Sequence, residues 1–146
     1  MRQIVSQLKK LNKTIATMES CTGGAVVNSI TNIEGASDVL KFSAVTYSNE
    51  YKIKMGVSSD IIDKYSVYSI ETADEMSKNI SLFACSDYGV GITGKLNRID
   101  KNNLYGEDNV VFISIYDSEN DKFYTREENK ELIINQIILM LHDVLF

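Results

Sequence analysis

The chain has 146 residues, of which 44% are hydrophobic, so it can bury one globular core, and we expect a single domain over residues 1–146. Its 20 acidic and 15 basic residues leave a net charge of −5, which works against binding to nucleic acid. No apolar run approaches the roughly 20 residues of a membrane-spanning helix, and the amphipathic N-terminus lacks the pattern of a signal peptide. We therefore expect a cytoplasmic protein without a nucleic-acid or membrane partner.

Cysteine and histidine are scarce. Cys21 and Cys85 are the two cysteines, neither lies in a Cys-x-x-Cys pattern, and His142 is the single histidine. This count excludes a disulfide scaffold and disfavours a structural zinc site or a hydrolase that uses histidine as its base. We expect no metal and no cofactor.

Helices and strands alternate in the first half of the chain. Apolar residues at helical spacing predict an opening helix, and runs of β-branched and aromatic residues predict strands. In chain order we predict a helix over 4–11, a strand over 14–18, a turn over 19–24, a helix over 25–31, a strand over 42–47, and short helices over 49–55 and 58–65.

The second half ends in a hairpin and a helix. Ser69 is a typical N-cap for a longer helix, whose apolar residues Ala73, Met76, Ile80 and Phe83 recur at helical spacing. After it we predict strands over 88–93, 110–116 and 122–126, with a turn over 117–121, and a strongly apolar helix over 131–145.

This order predicts the α/β class. Alternating helices and strands favour a mostly parallel sheet that is covered on both faces, whereas the late hairpin requires at least one antiparallel strand. A three-layer α/β/α sandwich with a mixed sheet of about five strands meets both requirements. Ligands of such sheets bind beyond the carboxyl ends of the strands, which selects the turns at 19–24, 47–52 and 93–98.

Ser20 lies where the first strand passes into a helix. The N–H groups of Thr22, Gly23 and Gly24 favour negative charge at that point, so the turn suits either a phosphate or a tetrahedral oxyanion. Glycine lets a ligand approach the backbone closely. The alternative interpretation is a capping serine followed by glycines that serve helix–sheet packing.

A serine nucleophile needs a base, and Lys52 is the candidate at the same edge of the sheet. Tyr47, at the end of the second predicted strand, could relay a proton or orient the lysine. The alternatives are a solvated helix lysine and an ordinary strand aromatic. We interpret Cys21 as a small buried residue, and Glu19 as either an anchor for the loop or a substrate contact.

Several segments resemble the CinA C-terminal domain family, whose stand-alone members are nicotinamide mononucleotide deamidases (PncC). They cover roughly residues 14 to 94 in the family's order. The two strongest are Glu-Ser-Cys-Thr-Gly-Gly at 19–24 and Thr-Tyr-Ser-Asn-Glu-x-Lys at 46–52, joined by the weaker matches at 35–37, 55–57, 67–76 and 91–94.

The resemblance implies an α/β/α sandwich and a cytoplasmic enzyme of NAD metabolism (the pyridine nucleotide cycle). The implied reaction is hydrolysis of nicotinamide mononucleotide to nicotinic acid mononucleotide and ammonia. Ser20 matches the family's nucleophile, and Tyr47 and Lys52 match its catalytic tyrosine and lysine. The expected substrate contacts come from the three turns: Glu19, Thr22, Gly23, Gly24, Ser48, Asn49, Thr93, Gly94, Lys95 and Arg98.

One segment departs from the family. After Thr93-Gly94 the family continues with a glycine-rich loop, whereas this chain has bulky and charged residues over 95–108. Either Lys95 and Arg98 take over anion binding, or affinity falls, or the amide substrate differs. The alternative function is a non-catalytic nucleotide-binding module. The helix over 131–145 is apolar nearly all round, which predicts either self-association or burial in the core.

Overall fold

The computed structural model describes residues 1–96, 108–129 and 133–146. The predicted order of helices and strands is confirmed, with one short 3-10 helix in addition. The elements are α1 (Arg2–Leu11), β1 (Ile15–Glu19), α2 (Ala25–Thr31), the 3-10 helix (Ala36–Asp38), β2 (Leu40–Val45), α3 (Asn49–Lys54), α4 (Ser59–Tyr65), α5 (Ile70–Ala84), β3 (Tyr88–Lys95), β4 (Val110–Asp117), β5 (Lys122–Asn129) and α6 (Ile133–Leu145).

The five strands form one mixed sheet in the order β2-β1-β3-β4-β5. β1 pairs in parallel with both β2 and β3, whereas β4 and β5 extend the sheet by antiparallel pairing. Glu19, the last residue of β1, lies opposite Val45 on one side and Ile92 on the other. The carboxyl ends of the three parallel strands therefore meet at one edge of the sheet, as predicted.

Alternate residues of β1 enter two hydrophobic clusters on opposite faces of the sheet. Ile15 belongs to the larger cluster, which α1, α2 and α6 cover, whereas Ala16 and Met18 belong to a smaller cluster with Met76 and Ile80 of α5. This alternation follows from the two-residue period of a strand. The structure is thus the α/β/α sandwich that the sequence predicts.

Helix α5 lies very close to the sheet because β3 presents glycines to it. A Cβ on Gly89 would come within 1.9 Å of the Ser77 carbonyl oxygen, and one on Gly91 within 2.3 Å of the Ala73 carbonyl oxygen. The hydroxyls of Ser77 and Ser114 hydrogen-bond at 3.0 Å under the same helix. Any larger residue at 89 or 91 would push α5 off the sheet.

Burial in the core accounts for most of the apolar surface of α6. Ile137, Met140, Leu141 and Leu145 are buried in the larger cluster, and four further apolar residues of the helix pack against it, namely Ile133, Ile134, Ile138 and Val144. Leu139 is exposed. Of the two interpretations of this segment, packing against the sheet is the one that the structure shows, and self-association stays a prediction.

The end of β2 and the exposure of Phe83 differ from the predictions. Strand β2 ends at Val45, so Thr46 and Tyr47 follow the strand instead of belonging to it. β1 also ends there, and the Thr46 N–H makes a last bond to the Glu19 carbonyl at 2.8 Å. Phe83 is exposed at the end of α5, where its ring packs on that of Phe42 at the sheet edge.

Within the described ranges, no helix combines the length and the apolar character that crossing a membrane requires.

Candidate active site

Ser20 and Lys52 form a buried pair at the carboxyl edge of the sheet. The Nζ of Lys52 donates to the Oγ of Ser20 at 3.0 Å. Both residues are buried, and Lys52 is only 1% exposed. Parallel pairing of β1 with β2 brings the two together, since Ser20 directly follows β1 and Lys52 lies one turn into α3. The alternative of a solvated helix lysine is therefore wrong; it describes Lys54, whose ammonium pairs with Glu50 at the surface.

Backbone carbonyls hold the amine of Lys52. Its Nζ contacts the carbonyl oxygen of Thr46 at 2.6 Å and that of Tyr47 at 3.4 Å. Both oxygens belong to the short connection between β2 and α3. The connection ends at Ser48, the N-cap of α3. The Ser48 hydroxyl accepts from the Tyr51 N–H at 3.3 Å. The chain around the end of β2 thus forms a cradle for one amine.

Glu19 anchors the loop that carries Ser20. Its carboxylate is fully buried and accepts from the Thr22 hydroxyl at 2.7 Å and from the N–H groups of Val26 and Val27 at 2.9 Å each. The N–H donors in the N-terminal turn of α2 therefore find their acceptor in a residue of the preceding strand. Of the two roles expected for Glu19, the anchor is the one that the structure shows, because 0% of the residue is exposed to a ligand.

The backbone N–H groups of the loop divide into two sets. Those that donate within the chain include Ser20 (to Ile92), Gly23 (to Ser20) and Ala25 (to Thr22). Gly23 therefore cannot serve as a ready oxyanion donor in this conformation, contrary to the prediction. The N–H groups of Cys21, Thr22 and Gly24 donate to no backbone carbonyl among the described residues. The Cys21 sulfur lies beside the N–H groups of Cys21 and Thr22. Gly23 itself is exposed, and a Cβ added to it would have no neighbour within 4 Å.

The Tyr47 phenol does not join the buried pair. The residue is 68% exposed, and it reaches Lys52 through its backbone carbonyl, a contact that any residue could make. Among the described residues, no hydrogen bond connects the phenol to Ser20 or Lys52. A role for this side chain in proton transfer thus requires it to move, and it remains a prediction.

The other residues expected to contact the substrate differ in their burial. Ser48 is exposed, and Asn49 is half-buried at the start of α3. Thr93 is fully buried, and its hydroxyl donates to the Val67 carbonyl at 2.9 Å, so it holds the segment before α5. A Cβ on Gly94 would meet the Val110 carbonyl oxygen at 2.6 Å, so this glycine serves the β3–β4 pairing.

Of the two basic residues expected to bind an anion, Lys95 and Arg98, the structure describes only Lys95. Lys95 is 16% exposed, and its ammonium pairs with Asp108 at 3.2 Å. An anionic ligand would therefore have to compete with that carboxylate for the lysine. Arg98 lies outside the described residues, so anion binding by Lys95 and Arg98 stays a prediction.

Cys21 and His142 take no part in the pair. Burial raises the pKa of the Cys21 thiol to about 12, which keeps it protonated and poorly nucleophilic at neutral pH. His142 is exposed on α6, in the layer across the sheet from α5, and stacks on Phe146 at 4.5 Å. Cys21 is half-buried, where the sequence predicted a small buried residue. Within the described residues, no three His, Cys, Asp or Glu side chains are grouped as metal ligands.

Sequence analysis did not single out Thr46, which is 2% exposed beside Lys52. Its carbonyl lies 2.6 Å from the Lys52 amine, closer than Ser20 Oγ or the Tyr47 carbonyl, and its Oγ1 is buried without a hydrogen-bond partner among the described residues. The signal that could have found it is its position directly before Tyr47, at the point where the parallel strands end.

Comparison with known proteins identifies the family. A model of the CinA C-terminal domain matches residues 1–136. The chain belongs to the CinA C-terminal domain family. A CinA-like protein of Kosmotoga olearia is 44% identical over 92 residues, which are 62% of this chain and 22% of that protein. A CinA-like protein of Prochlorococcus marinus is 40% identical over the same shares. The CinA domain described here thus spans about a fifth of the length of these relatives.

Solved structures share the fold of this CinA domain. A competence or damage-inducible protein from Enterobacter asburiae superimposes with a TM-score of 0.84 at 21% identity, over 98% of this chain and 92% of that one. The competence/damage inducible protein CihA from Agrobacterium tumefaciens gives 0.79 at 25% identity, over 98% and 86%. These likenesses support the α/β/α architecture of the CinA domain.

Proposed function

We propose that this CinA domain is an amidohydrolase that converts nicotinamide mononucleotide and water to nicotinic acid mononucleotide and ammonia. The observation that carries the proposal is the 3.0 Å contact between Lys52 Nζ and Ser20 Oγ in a buried site. A serine with a lysine base is a known arrangement for attack on a carbonyl carbon. Membership in the family supports the choice of substrate.

The contacts of Lys52 suit a neutral amine that acts as a base. A neutral amine has two N–H groups and one lone pair, and burial disfavours the charged form of a lysine. The carbonyls of Thr46 and Tyr47 can only accept, so they take the two N–H groups. In the neutral amine the 3.0 Å contact with Ser20 is reversed: the lone pair faces the hydroxyl and can remove its proton.

The reaction proceeds in two steps on Ser20. In the first, Ser20 Oγ bonds to the amide carbon while Lys52 takes its proton; the carbon–nitrogen bond then breaks, and ammonia leaves with a proton from Lys52. In the second, water attacks the resulting ester, and Ser20 regains its proton as the acid is released. The N–H groups of Cys21, Thr22 and Gly24 are the donors of this loop that suit the oxyanion.

The test of the function is release of ammonia from nicotinamide mononucleotide. We expect the wild-type domain to release it and Ser20→Ala to lose at least about 1,000-fold in kcat, because no other nucleophile replaces the hydroxyl. Cys21→Ala is the matched control for the neighbouring side chain and should keep its activity. Lys52→Met should be inactive, whereas Lys54→Met, two residues along the same helix, should be active.

The second candidate function is a nucleotide-binding module without turnover. The observation that favours it is the position of the Tyr47 phenol, which is exposed and away from the pair. Such a module would bind nicotinamide mononucleotide in calorimetry and release no ammonia. The enzyme would bind it as well but would also release ammonia, so the ammonia assay separates the two functions.

A further inference from the structure

Ser20 lies on the face of the sheet that α5 covers. Its neighbour Glu19 turns its carboxylate to α2 on the other face, and side chains alternate between the two faces along a strand. Met18, two residues before Ser20, packs with residues of α5 accordingly. The Ser20 N–H continues the parallel pairing of β1 with β3, because it donates to the Ile92 carbonyl at 3.0 Å. The last residues of β3 therefore run past Ser20.

Lys95 belongs to the same face on the neighbouring strand. A Cβ on Gly91 would meet the backbone of α5, so Thr93 and Lys95, which follow it at the two-residue period, lie on that face as well. In the register of β1 and β3, Thr93 lies beside Ser20. The spacing of strands and of residues along them places the Cα of Lys95 about 8 Å from that of Ser20. The amide and the phosphate of a mononucleotide are separated on this scale, because the ring and the sugar lie between them.

An exposed carboxylate pairs with the ammonium of Lys95. Asp108 Oδ1 lies 3.2 Å from Lys95 Nζ, and the Asp108 side chain is 58% exposed, whereas that of Lys95 is 16% exposed. The Asn109 N–H donates to the Lys95 carbonyl at 2.7 Å, so the backbone next to Asp108 is fixed while its side chain can rotate into water. Exposed ion pairs stabilise a fold only weakly. A competing anion can therefore displace Asp108 and find the lysine in place.

A phosphate monoester is a stronger ligand for this ammonium than Asp108 is. At neutral pH it carries close to two negative charges and three acceptor oxygens, whereas a carboxylate carries one charge and two oxygens. The uncharged hydroxyl of a nucleoside provides no such attraction. Lys95 can therefore distinguish a mononucleotide from the corresponding nucleoside, and the pair with Asp108 reduces the affinity with which it does so.

We propose that Asp108 occupies the phosphate position on Lys95 and that the phosphate group of the substrate replaces it. Lys95 then selects mononucleotides over nucleosides, and Asp108 weakens the binding of every anion at that position. The inference rests on the proposed function for the amide that reacts. The phosphate position rests on the Lys95–Asp108 pair and on its register with Ser20. Both residues act in binding, so their substitution changes KM and leaves kcat nearly unchanged.

The first test compares ammonia release from nicotinamide mononucleotide and from nicotinamide riboside, which lacks the phosphate. We expect Asp108→Asn to lower KM for the mononucleotide about 3- to 10-fold and Lys95→Met to raise it at least about 10-fold. Neither variant should change kcat/KM for the riboside. Asp63→Asn, which removes an equal charge at an exposed position, should match the wild type. A wild-type KM for the mononucleotide in either variant overturns the proposal, as does an equal change for both substrates.

A double variant shows whether Asp108 acts through Lys95. Because Asp108 affects binding only by holding the lysine, Asp108→Asn should have no effect on KM in a Lys95→Met protein. A decrease in KM that persists without the lysine overturns the proposal, since it would come from a general change in charge.

Binding of ribose 5-phosphate separates this inference from the choice of reaction, because this probe has a phosphate and no amide. In calorimetry we expect Asp108→Asn to bind it about 3- to 10-fold more tightly than the wild type and Lys95→Met to bind it at least about 10-fold more weakly. If the wild type releases no ammonia but the probe follows this pattern, the proposed reaction is wrong and the phosphate position stands. If ammonia is released but the three proteins bind the probe alike, or Asp108→Asn does not bind it, the function stands and this inference is overturned.

Discussion

Glu19 Oε2 accepts a hydrogen bond from the Val27 N–H at 2.9 Å, so the last residue of β1 holds the first turn of α2. The seven residues between these two contain Ser20 and both glycines of the loop. The carboxylate replaces the side-chain cap that α2 lacks at Gly24. The position of Ser20, the proposed nucleophile, therefore depends on a carboxylate that is buried beneath the loop.

Replacing Glu19 with glutamine should destabilise the domain and also slow the proposed release of ammonia. The amide would aim an NH₂ group at backbone N–H donors, which removes a charge-assisted bond and leaves a donor unpaired. We expect a loss of about 2–3 kcal/mol in the free energy of unfolding, measured by urea titration. Exposed Glu34 is the matched control, since Glu34→Gln should change neither quantity. A fully stable Glu19→Gln protein would contradict the anchor role.

A methyl group at Gly89 should separate α5 from the sheet. The obstacle is the backbone carbonyl of Ser77, which cannot rotate aside, so Gly89→Ala should cost more than about 2 kcal/mol in urea unfolding. Gly23→Ala meets no neighbour and costs only the strain of its positive φ, about 1 kcal/mol. Equal losses in the two variants would show that close packing does not limit position 89.

The stability of the domain should fall in acid through Asp87. Desolvation alone would raise the pKa of this carboxyl, but hydrogen bonds from the Thr14 hydroxyl and N–H, together with the Lys13 ammonium, outweigh it and lower the pKa. A depressed native pKa stabilises the fold above the unfolded pKa of about 4, and this contribution is lost as the pH falls through the native pKa.

Asp87→Asn tests this linkage. We expect it to be less stable than the wild type at pH 7 in chemical denaturation, with the difference shrinking progressively below about pH 4, where the wild-type carboxylate becomes protonated. Asp63→Asn, at an exposed position, should track the wild type throughout. A difference for Asp87→Asn that does not vary between pH 7 and pH 2.5 would mean that the charge of Asp87 contributes nothing.

The two cysteines should differ in reactivity. With a pKa of about 12, the Cys21 thiol has about one thiolate in 10,000 molecules at pH 8, whereas Cys85 is exposed at the end of α5. Iodoacetamide at pH 8 should therefore alkylate Cys85 first, as peptide mass spectrometry would show. Faster alkylation of Cys21 would point to an activated thiol beside Ser20 and would reopen the question of which residue is the nucleophile.

Local patterns in the sequence predict much of the fold. The spacing of Ile4, Val5 and Leu8 marks the buried face of α1, and Ser69 caps α5 through the Thr72 N–H as expected. These features depend on neighbours within a few residues, so the sequence contains them directly. The ends of strands are harder to predict, as β2 shows, because they depend on where the partner strand stops.

The sequence likewise predicts one part of the candidate site and leaves another part undecided. That Ser20 and Lys52 follow successive strands is evident from the chain, and parallel pairing makes their meeting expected. Sequence patterns could not decide that Lys52 is buried, that the Tyr47 phenol is exposed or that the Thr46 hydroxyl has no hydrogen-bond partner among the described residues. Each of these outcomes depends on which side chains from distant segments fill the same space.

The sequence by itself determined the order of helices and strands, the mixed sheet and the edge at which the candidate residues collect. These follow from hydrophobic period and from turn residues, which act over short stretches of chain. Tertiary structure alone decided that Glu19 supports the loop from below and that Lys52 points its amine at Ser20. Hydrogen bonding and burial at a point depend on every segment that reaches it, and those segments are joined only when the chain folds.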